Sequence, residues 1–214
     1  MKQVVINRYN GDTEWTNQLI GCDVLIYNKY DPLVPYHIDK GKESLRDFYE
    51  RLYAIPNYIE MVQPRSTDIS NLVPNLGQDA YTFFLHIINH YDNLADMNIF
   101  LHDNPIHHCQ NLIEQVNDLP EDSDFVDFGQ SMLSDEYGGP MDHDLPVGEI
   151  YERLFGKKKT EFVFKSGSLF AASRDVLLRY DIDFYRECAE IGETDPRSSW
   201  AFERLFRIIF KRGE

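Results

Sequence analysis

Short apolar, β-branched runs alternate along the chain with segments in which apolar residues recur every three to four positions. Runs of this kind are typical of strands buried on both faces of a sheet, and the longer spacing is typical of helices that pack one face. The runs predict strands at 4–6, 24–27, 58–62, 97–101, 162–164 and 169–172. We therefore predict an α/β fold with a central mixed, mostly parallel β-sheet flanked by helices.

The helical pattern is clearest from Gly77 to Tyr91, where the apolar stripe consists of Tyr81, Phe84, Leu85 and Ile88. Weaker patterns predict helices at 44–54, 107–116 and 148–155, closing helices up to Phe210, and a helix between the first two strands capped by Asp12 or Thr13. The acidic stretch 117–145 contains Gly and Pro and is predicted to be irregular. An irregular segment of that length is either mobile or functional.

Composition narrows the class of protein. The 214 residues are 43% hydrophobic, which is enough for one core, so we expect a single domain over 1–214, whole or as the N-terminal part of a longer enzyme. A formal charge of -15 argues against nucleic acid or an anionic membrane as a partner, because both require a basic face.

The cysteines and the lengths of the apolar runs indicate the cellular compartment of the protein. Cys22, Cys109 and Cys188 are odd in number and form no CxxC pair, which suggests neither a disulfide framework nor a thiolate zinc site. No run has the length of a signal peptide or a membrane span. We expect a soluble, cytoplasmic monomer.

Polar residues follow three of the predicted strands. They are Asn7, Arg8 and Tyr9 after the first, Asn28 and Lys29 after the second, and His102, Asp103 and Asn104 after the strand at 97–101. The dinucleotide, phosphate-loop, HExxH and GxSxG motifs are absent from the sequence. Because ligands of open α/β sheets bind at the carboxyl ends of strands, we expect these side chains to form one polar crevice.

Each residue type in that crevice suits a different part of a nucleotide ligand. Arg8 and Lys29 can meet a diphosphate, Tyr9 can stack on a base, and Asp103 can hold a divalent cation. The alternative is that Arg8 and Lys29 pair with surface acids. Asp79 opens the strongest helix, where it either complements the helix dipole or binds a ribose or sugar hydroxyl.

Five segments resemble a family of fungal and algal proteins long labelled as a domain of unknown function. They are 77–82, 90–96, 100–105, 145–151 and 167–174, and the whole chain is similar to the small glycosyltransferases encoded by large DNA viruses of Chlorella. The resemblance implies a GT-A fold, a UDP-sugar donor and Mn²⁺ (or Mg²⁺) at a DxD-type signature. Where relatives read Gly-Asp-Pro, this sequence has Asp103-Asn104-Pro105, so the carboxylate is displaced by one position or replaced by an amide.

The activity implied by this resemblance is transfer of a hexosyl group to a hydroxyl of a glycan or glycoprotein acceptor, in a host cytoplasm if the protein is viral. The implied metal ligands are His102, Asp103 and Asn104. Together with the placement of residues at strand ends, the resemblance gives two sets of expected site residues. The expected catalytic residues are Asp79, Glu203 and Asp144, and the expected donor-binding residues are Asn7, Arg8, Tyr9, Asn28, Lys29, Asp79 and Ser168. Glu203 is either a base toward the acceptor hydroxyl or a partner of Arg207 on the same helix.

Several alternatives remain open from the residues themselves. Asp142 and Asp144 are lid or acceptor residues, whereas Asp181 and Asp183 are expected to cap a helix. A zinc hydrolase using His86, His90 and His102 is a second hypothesis, although His86 and His90 are expected on the polar face of their helix. A noncatalytic sugar-binding module is the third.

Overall fold

The structure is a computed structural model that describes residues 1–9, 11–32, 62–64, 71–74, 78–195 and 197–211. The strands in these ranges are β1 (Lys2–Arg8), β2 (Cys22–Pro32), β3 (Val62–Pro64), β4 (Leu72–Pro74), β5 (Met97–His102), β6 (Phe125–Asp127), β7 (Ser131–Asp135), β8 (Glu161–Lys165) and β9 (Phe170–Ser173). The predicted helix 44–54, residues 58–61 of the predicted strand and residues 75–77 lie outside the described residues.

The helices are α1 (Gln78–Asn89), α2 (Leu112–Asn117), α3 (Val147–Phe155), α4 (Arg174–Leu177), α5 (Ile182–Thr194) and α6 (Ser198–Phe210). Short 3-10 helices span Glu14–Gln18, Tyr91–Asn93 and Pro105–His107. Within the described ranges, none of the helices has the length and apolar character needed to cross a membrane.

The main sheet has the strand order β3-β2-β1-β5-β9-β6, with β4 also paired to β2, and β7 and β8 form a separate antiparallel hairpin. Strand β1 runs parallel to β2 and β5, and β4 runs parallel to β2. The pairings of β3, β9 and β6 are antiparallel. The α/β class and the mixed sheet are confirmed. Of the described pairings in this sheet three are parallel and three are antiparallel, and β3 and β9 run against the other five described strands.

The pattern of β1 explains how the sheet buries both faces. Val5 faces the larger core with Phe83, Phe84 and the aromatic residues of α6, whereas Val4 and Ile6 face a second core. This second core contains Leu112 of α2. Because successive strand residues point to opposite faces of the sheet, this one apolar run contributes side chains to both cores.

Three local predictions were wrong. The stretch 117–145 contains β6 and β7, which pair with β9 and β8 although neither has a long apolar run. In 107–116 the α-helix starts only at Leu112, because the amides of His108 and Cys109 both donate to the Pro105 carbonyl and close a 3-10 turn. The first connection is a 3-10 helix rather than an α-helix. The Asp12 side chain accepts from the Glu14 amide at 2.8 Å, whereas Thr13 holds the N-cap position and accepts from the Thr16 amide at 3.0 Å through its main-chain carbonyl.

Candidate active site

The carboxyl ends of β1 and β5 lie side by side, level with Asn28 of β2, which continues to Pro32. Strand β1 is the middle one, and its register pairs Arg8 with Asn28 and Asn7 with His102. The three strands are adjacent and their polar residues lie at one level, but the prediction that the second strand ends before Asn28 was wrong, because β2 continues to pair with β4 and β3 up to Pro32. This edge of the sheet, together with Asp79, His108, the Gly167–Ser168 turn and Glu203, is called the crevice below.

Helix α1 begins at this edge and is tied to two of the strand ends. Asn7 is 4% exposed, and its Nδ2 donates to Oδ1 of Asp79 in the first turn of α1. Lys29 is 2% exposed, and its Nζ donates to the carbonyl of Gln78. Lys29 is therefore buried rather than at the surface. These contacts fix Asp79 beside β1.

Asp103 shapes the segment that follows β1. Its Oδ2 accepts hydrogen bonds from the amides of Tyr9 at 2.8 Å and Gly11 at 2.6 Å. A Cβ on Gly11 would lie 2.5 Å from Asp103 Cγ, so the segment passes against the carboxylate only because residue 11 is glycine. Arg8 follows the same turn, and its Nε donates to the Gly11 carbonyl at 3.1 Å.

The residues predicted to bind Mn²⁺ are engaged with the backbone instead. One oxygen of Asp103 serves two amides, and Nδ1 of His102 accepts from the Asn104 amide at 3.1 Å. Among the residues that the structure describes, no three or more His, Cys, Asp or Glu side chains form a group that can hold a metal ion. The set at 102–104 therefore does not fit the predicted cation.

Glu203 reaches the crevice from α6. Its side chain is 14% exposed; Oε1 accepts from the Gly167 amide at 2.5 Å and Oε2 accepts from Nη1 of Arg204 at 2.7 Å. The alternative partner Arg207 is wrong, because Arg207 lies 3.9 Å from Oδ2 of Asp127. Glu203 thus holds the turn between β8 and β9 as well as facing the crevice.

The Gly167–Ser168 turn closes the other side. Gly167 has φ +96°, and a Cβ at this position would lie 2.7 Å from Cγ of His108. Ser168 is 8% exposed and also has a positive φ, of 53°. A side chain at 167 would collide with the imidazole, so the glycine allows the turn and His108 to touch.

The crevice groups influence one another's protonation. Burial raises the pKa of Glu203; the Gly167 amide and Arg204 oppose this, whereas Asp79 and Asp142 raise the pKa further. His108 is exposed at the mouth, yet partial burial of its ring lowers its pKa, as do His102 and His107, while Asp79 acts in the opposite direction. Asp79 therefore lies within electrostatic range of both Glu203 and His108.

Sequence reasoning did not place Arg204 at this site, and it did not predict that His108 and the Gly167 amide meet here. His108 lies in the loop after the strand end at Asp103, and Gly167 lies between two predicted strands, so position along the chain was the available signal. No local sequence pattern identified Arg204, because its second acidic partner, Asp142, is 62 residues away in sequence.

The other acidic pairs are mostly structural. Asp142 accepts from Nη2 of Arg204 at 2.5 Å, whereas Asp144 is exposed and its main-chain carbonyl accepts from Arg197 at 2.8 Å. Asp181 is confirmed as a cap, since its Oδ1 accepts from the Phe184 amide at 2.9 Å. Asp183 lies in the first turn of α5 and pairs with Arg186.

The histidines of the hydrolase hypothesis do not gather. His86 is fully buried, with Nδ1 3.1 Å from the Tyr27 hydroxyl, so its predicted place on a polar face was wrong. Burial lowers the pKa of His86 to about 3, with a smaller contribution from His90, whose ring lies 4.6 Å away. His102 instead contacts the ring of His108, with 5.3 Å between centroids.

No family model matches the chain, and no curated protein or solved structure matches it either. The chemistry of the crevice carries the functional argument. A buried carboxylate with a raised pKa can accept a proton from a hydroxyl near neutral pH, and adjacent cations can balance charge on a leaving group.

Proposed function

We propose that the protein is a glycosyltransferase that moves a hexosyl group from a UDP-sugar to a hydroxyl of a glycan acceptor. The observation that carries the proposal is the convergence of Asn7, Lys29, Asp79 and Glu203 beside the carboxyl ends of β1 and β5 and the adjoining part of β2. Open α/β sheets bind nucleotides at such an edge, and the mixed sheet is compatible with a GT-A arrangement.

In this proposal the two carboxylates have different roles. Glu203 accepts the proton of the acceptor hydroxyl, which suits its raised pKa, because a base works best when its pKa approaches the working pH. Asp79 accepts hydrogen bonds from hydroxyls of the ribose or the donor sugar. As the acceptor oxygen bonds to the anomeric carbon, the bond to the UDP oxygen breaks and its electron pair leaves with UDP.

The cations and the aromatic ring bind the departing nucleotide. Lys29 and Arg8 oppose the negative charge that develops on the diphosphate, and Tyr9 stacks on uracil. A buried ammonium such as that of Lys29 acts at low dielectric, where each charge interaction is stronger than in water. The ring follows β1 and the buried ammonium belongs to the neighbouring strand β2.

The resemblance implies Mn²⁺ or Mg²⁺, which in such enzymes neutralises the diphosphate. Because Asp103 Oδ2 is engaged by two amides and no group of described residues can hold a metal, no step above uses a cation. A requirement for the ion is therefore tested separately from the requirement for the crevice residues.

The test is calorimetric titration of UDP, GDP and CMP, each with Mn²⁺ and again with EDTA. We expect UDP to bind at least about tenfold more tightly than GDP or CMP, a difference of about 1.4 kcal/mol. A Lys29→Met variant should weaken UDP binding, whereas Lys157→Met, at an exposed position, should not. Survival of UDP binding in EDTA would separate the nucleotide site from the metal.

Other outcomes would contradict the proposal. Absence of nucleotide binding in both conditions, with carbohydrate affinity retained, would favour the noncatalytic sugar-binding module. Stoichiometric zinc in the purified protein without preference for uridine nucleotides would favour the hydrolase.

A further inference from the structure

Arg204 is a buried cation held by groups from different parts of the fold. Its side chain is 3% exposed on α6, and Nη1 donates to Glu203 Oε2 at 2.7 Å and to the Trp200 carbonyl at 2.8 Å. Nη2 donates to Asp142 Oδ2 at 2.5 Å, and Cζ lies 4.7 Å from the centre of the Phe164 ring on β8. The guanidinium therefore joins α6, the hairpin and the loop 136–146 between β7 and α3.

Only a planar, branched cation can make this set of contacts. A guanidinium presents donors in a fixed fork, so it bonds two carboxylates at once and also packs flat on an aromatic ring. An ammonium of similar length is a point charge and cannot hold both carboxylates in fixed directions. Burial makes these bonds necessary, because a buried charge must be paired.

Glu203 is held from two sides by this arrangement. Arg204 engages Oε2 while the Gly167 amide engages Oε1, and each carboxylate oxygen keeps a second lone pair for a further donor. Asp142, whose side chain is 45% exposed, is the one partner of Arg204 that belongs to the loop 136–146. The position of that loop is thus connected to the direction of Glu203 through one side chain.

We propose that Arg204 is a positioning residue that aligns Glu203 and, through Asp142, makes this alignment depend on the docking of the loop 136–146. The inference rests on the proposed function for the role of Glu203 as base. The connection from Asp142 through Arg204 to Glu203, called the linkage here, does not depend on that function. Docking of the loop and alignment of the carboxylate are then one event.

The linkage predicts opposite effects on the protonation of Glu203. The charged groups that act on it are Arg204 on its own helix, Asp79 on α1 and Asp142 on the loop, together with the Gly167 amide. Removal of the cation in Arg204→Met should raise the pKa of Glu203. Removal of the loop anion in Asp142→Asn should lower it.

The experiment is a carboxyl ¹³C NMR titration of the full chain, with Glu203→Gln used to assign the signal. The matched control is Arg207→Met, one turn further along α6, whose carboxylate partner is Asp127 rather than Glu203. We expect an upward shift in Arg204→Met, a downward shift in Asp142→Asn and no shift in the control. Equal pKa values of Glu203 in the wild type, Asp142→Asn and Arg204→Met would overturn the inference.

Folding of the variants is checked by thermal unfolding. If Arg204→Met does not fold, Asp142→Asn and Arg204→Lys decide the question, since one alters an exposed partner and the other keeps the charge. We expect Arg204→Lys to restore the Glu203 pKa partly while lowering kcat for UDP-sugar hydrolysis about 10²-fold with little change in KM, because the base is misplaced. A lysine variant with wild-type kcat would contradict the positioning role.

Failure of the proposed function gives a different result. If the wild type turns over no UDP-sugar and binds no UDP, the transferase proposal fails. The pKa shifts of Glu203 in Arg204→Met and Asp142→Asn still decide whether the linkage exists.

Discussion

The crevice and the outer groove of the β7–β8 hairpin differ in what they offer a ligand. The groove has a volume of about 700 Å³, and its lining includes Leu133 and Val163, which are 68% and 42% exposed. It has room and apolar surface, but its Asp135 carboxylate accepts from the amides of Tyr137 and Gly139, which stabilises a turn and lowers the pKa of Asp135. In the crevice, Glu203 has the opposite shift.

The comparison shows that the region with a large pocket volume is not the region where polar groups with shifted pKa values converge. A large pocket is the usual first candidate for a binding site, but a cluster of convergent polar groups with shifted pKa values is the better sign of catalysis. Asp79 lies in the first turn of α1 and Glu203 lies on α6, and the charge of Asp79 contributes to the raised pKa of Glu203. The following changes contrast the two regions.

Glu203→Gln should have the largest effect. Loss of a general base lowers the rate by about 10² to 10⁴-fold, so UDP-sugar turnover should fall by this factor while the fold is kept. Glu161→Gln, at an exposed position in the groove, is the control and should stay within about twofold. Equal losses in the two variants would remove the distinction between the regions.

The pH profile of the wild type belongs to the same prediction. Because Glu203 must be ionised to accept a proton and burial raises its pKa, turnover should fall on acidification at a pH above the ordinary glutamate value of 4.5. A profile that stays flat down to that pH would argue against Glu203 as the base.

Within the hairpin, substitutions on the two faces of β8 should have very different effects on the free energy of unfolding. Phe164 is 2% exposed and packs on Arg204, so Phe164→Ala should reduce the free energy of unfolding by roughly 3–5 kcal/mol in urea titrations. Val163→Ala, on the groove side, should change it by less than about 0.5 kcal/mol. A large loss at Val163 would mean that the groove is part of the core.

His86 tests whether a shifted pKa alone marks a functional site. Its pKa falls to about 3 in the folded state, so it stabilises the fold above about pH 6.5, and this contribution is lost as pH falls from there toward 3. Relative to His86→Gln, the wild type should lose about 2 kcal/mol of unfolding free energy between pH 7 and pH 5.

The control for this measurement is His143→Gln, at an exposed position in the groove lining. It should run parallel to the wild type across the same pH range. Parallel curves for His86→Gln would show instead that the buried imidazole does not resist protonation.

Gly167→Ala should give the smallest of these effects. Its positive φ and the 2.7 Å approach of a Cβ to His108 should together cost roughly 1–3 kcal/mol of unfolding free energy. Gly156→Ala shares the positive φ but has no atom within 4 Å of the added Cβ, so it should cost about 1 kcal/mol. If the two losses are equal, the turn does not press on His108.

The parts of the fold that sequence predicts are those with strong local patterns. Strands β1, β2 and β5 and helix α1 carry apolar runs or a clear stripe, and the three strands are adjacent as expected, although β2 continues beyond its predicted end to Pro32. Strand β6 is three residues long and exists through pairing with β9, which no local pattern reveals. The sequence therefore predicted that β1, β2 and β5 lie together, but it did not predict the full order of the strands.

The site shows the same division. His86 was misplaced because α1 packs between the sheet and two other helices and is buried on nearly every side, so it has no polar face at that level. The sequence did not identify the partner of Glu203, because helical spacing favours an ion pair with Arg207. In the structure Arg204 is the partner, and its contacts with Asp142 and Phe164 hold its guanidinium beside the carboxylate. Contacts between distant segments decide both cases.

The most direct test of the central claim is a backbone-amide NMR titration of the wild type with UDP. The account predicts that the amides of Asn7, Asp79 and Ser168 shift on saturation while those of Leu133 and Val163 in the groove do not. Shifts confined to the groove, with the amides of the crevice unchanged, would contradict the assignment of the strand ends as the nucleotide site.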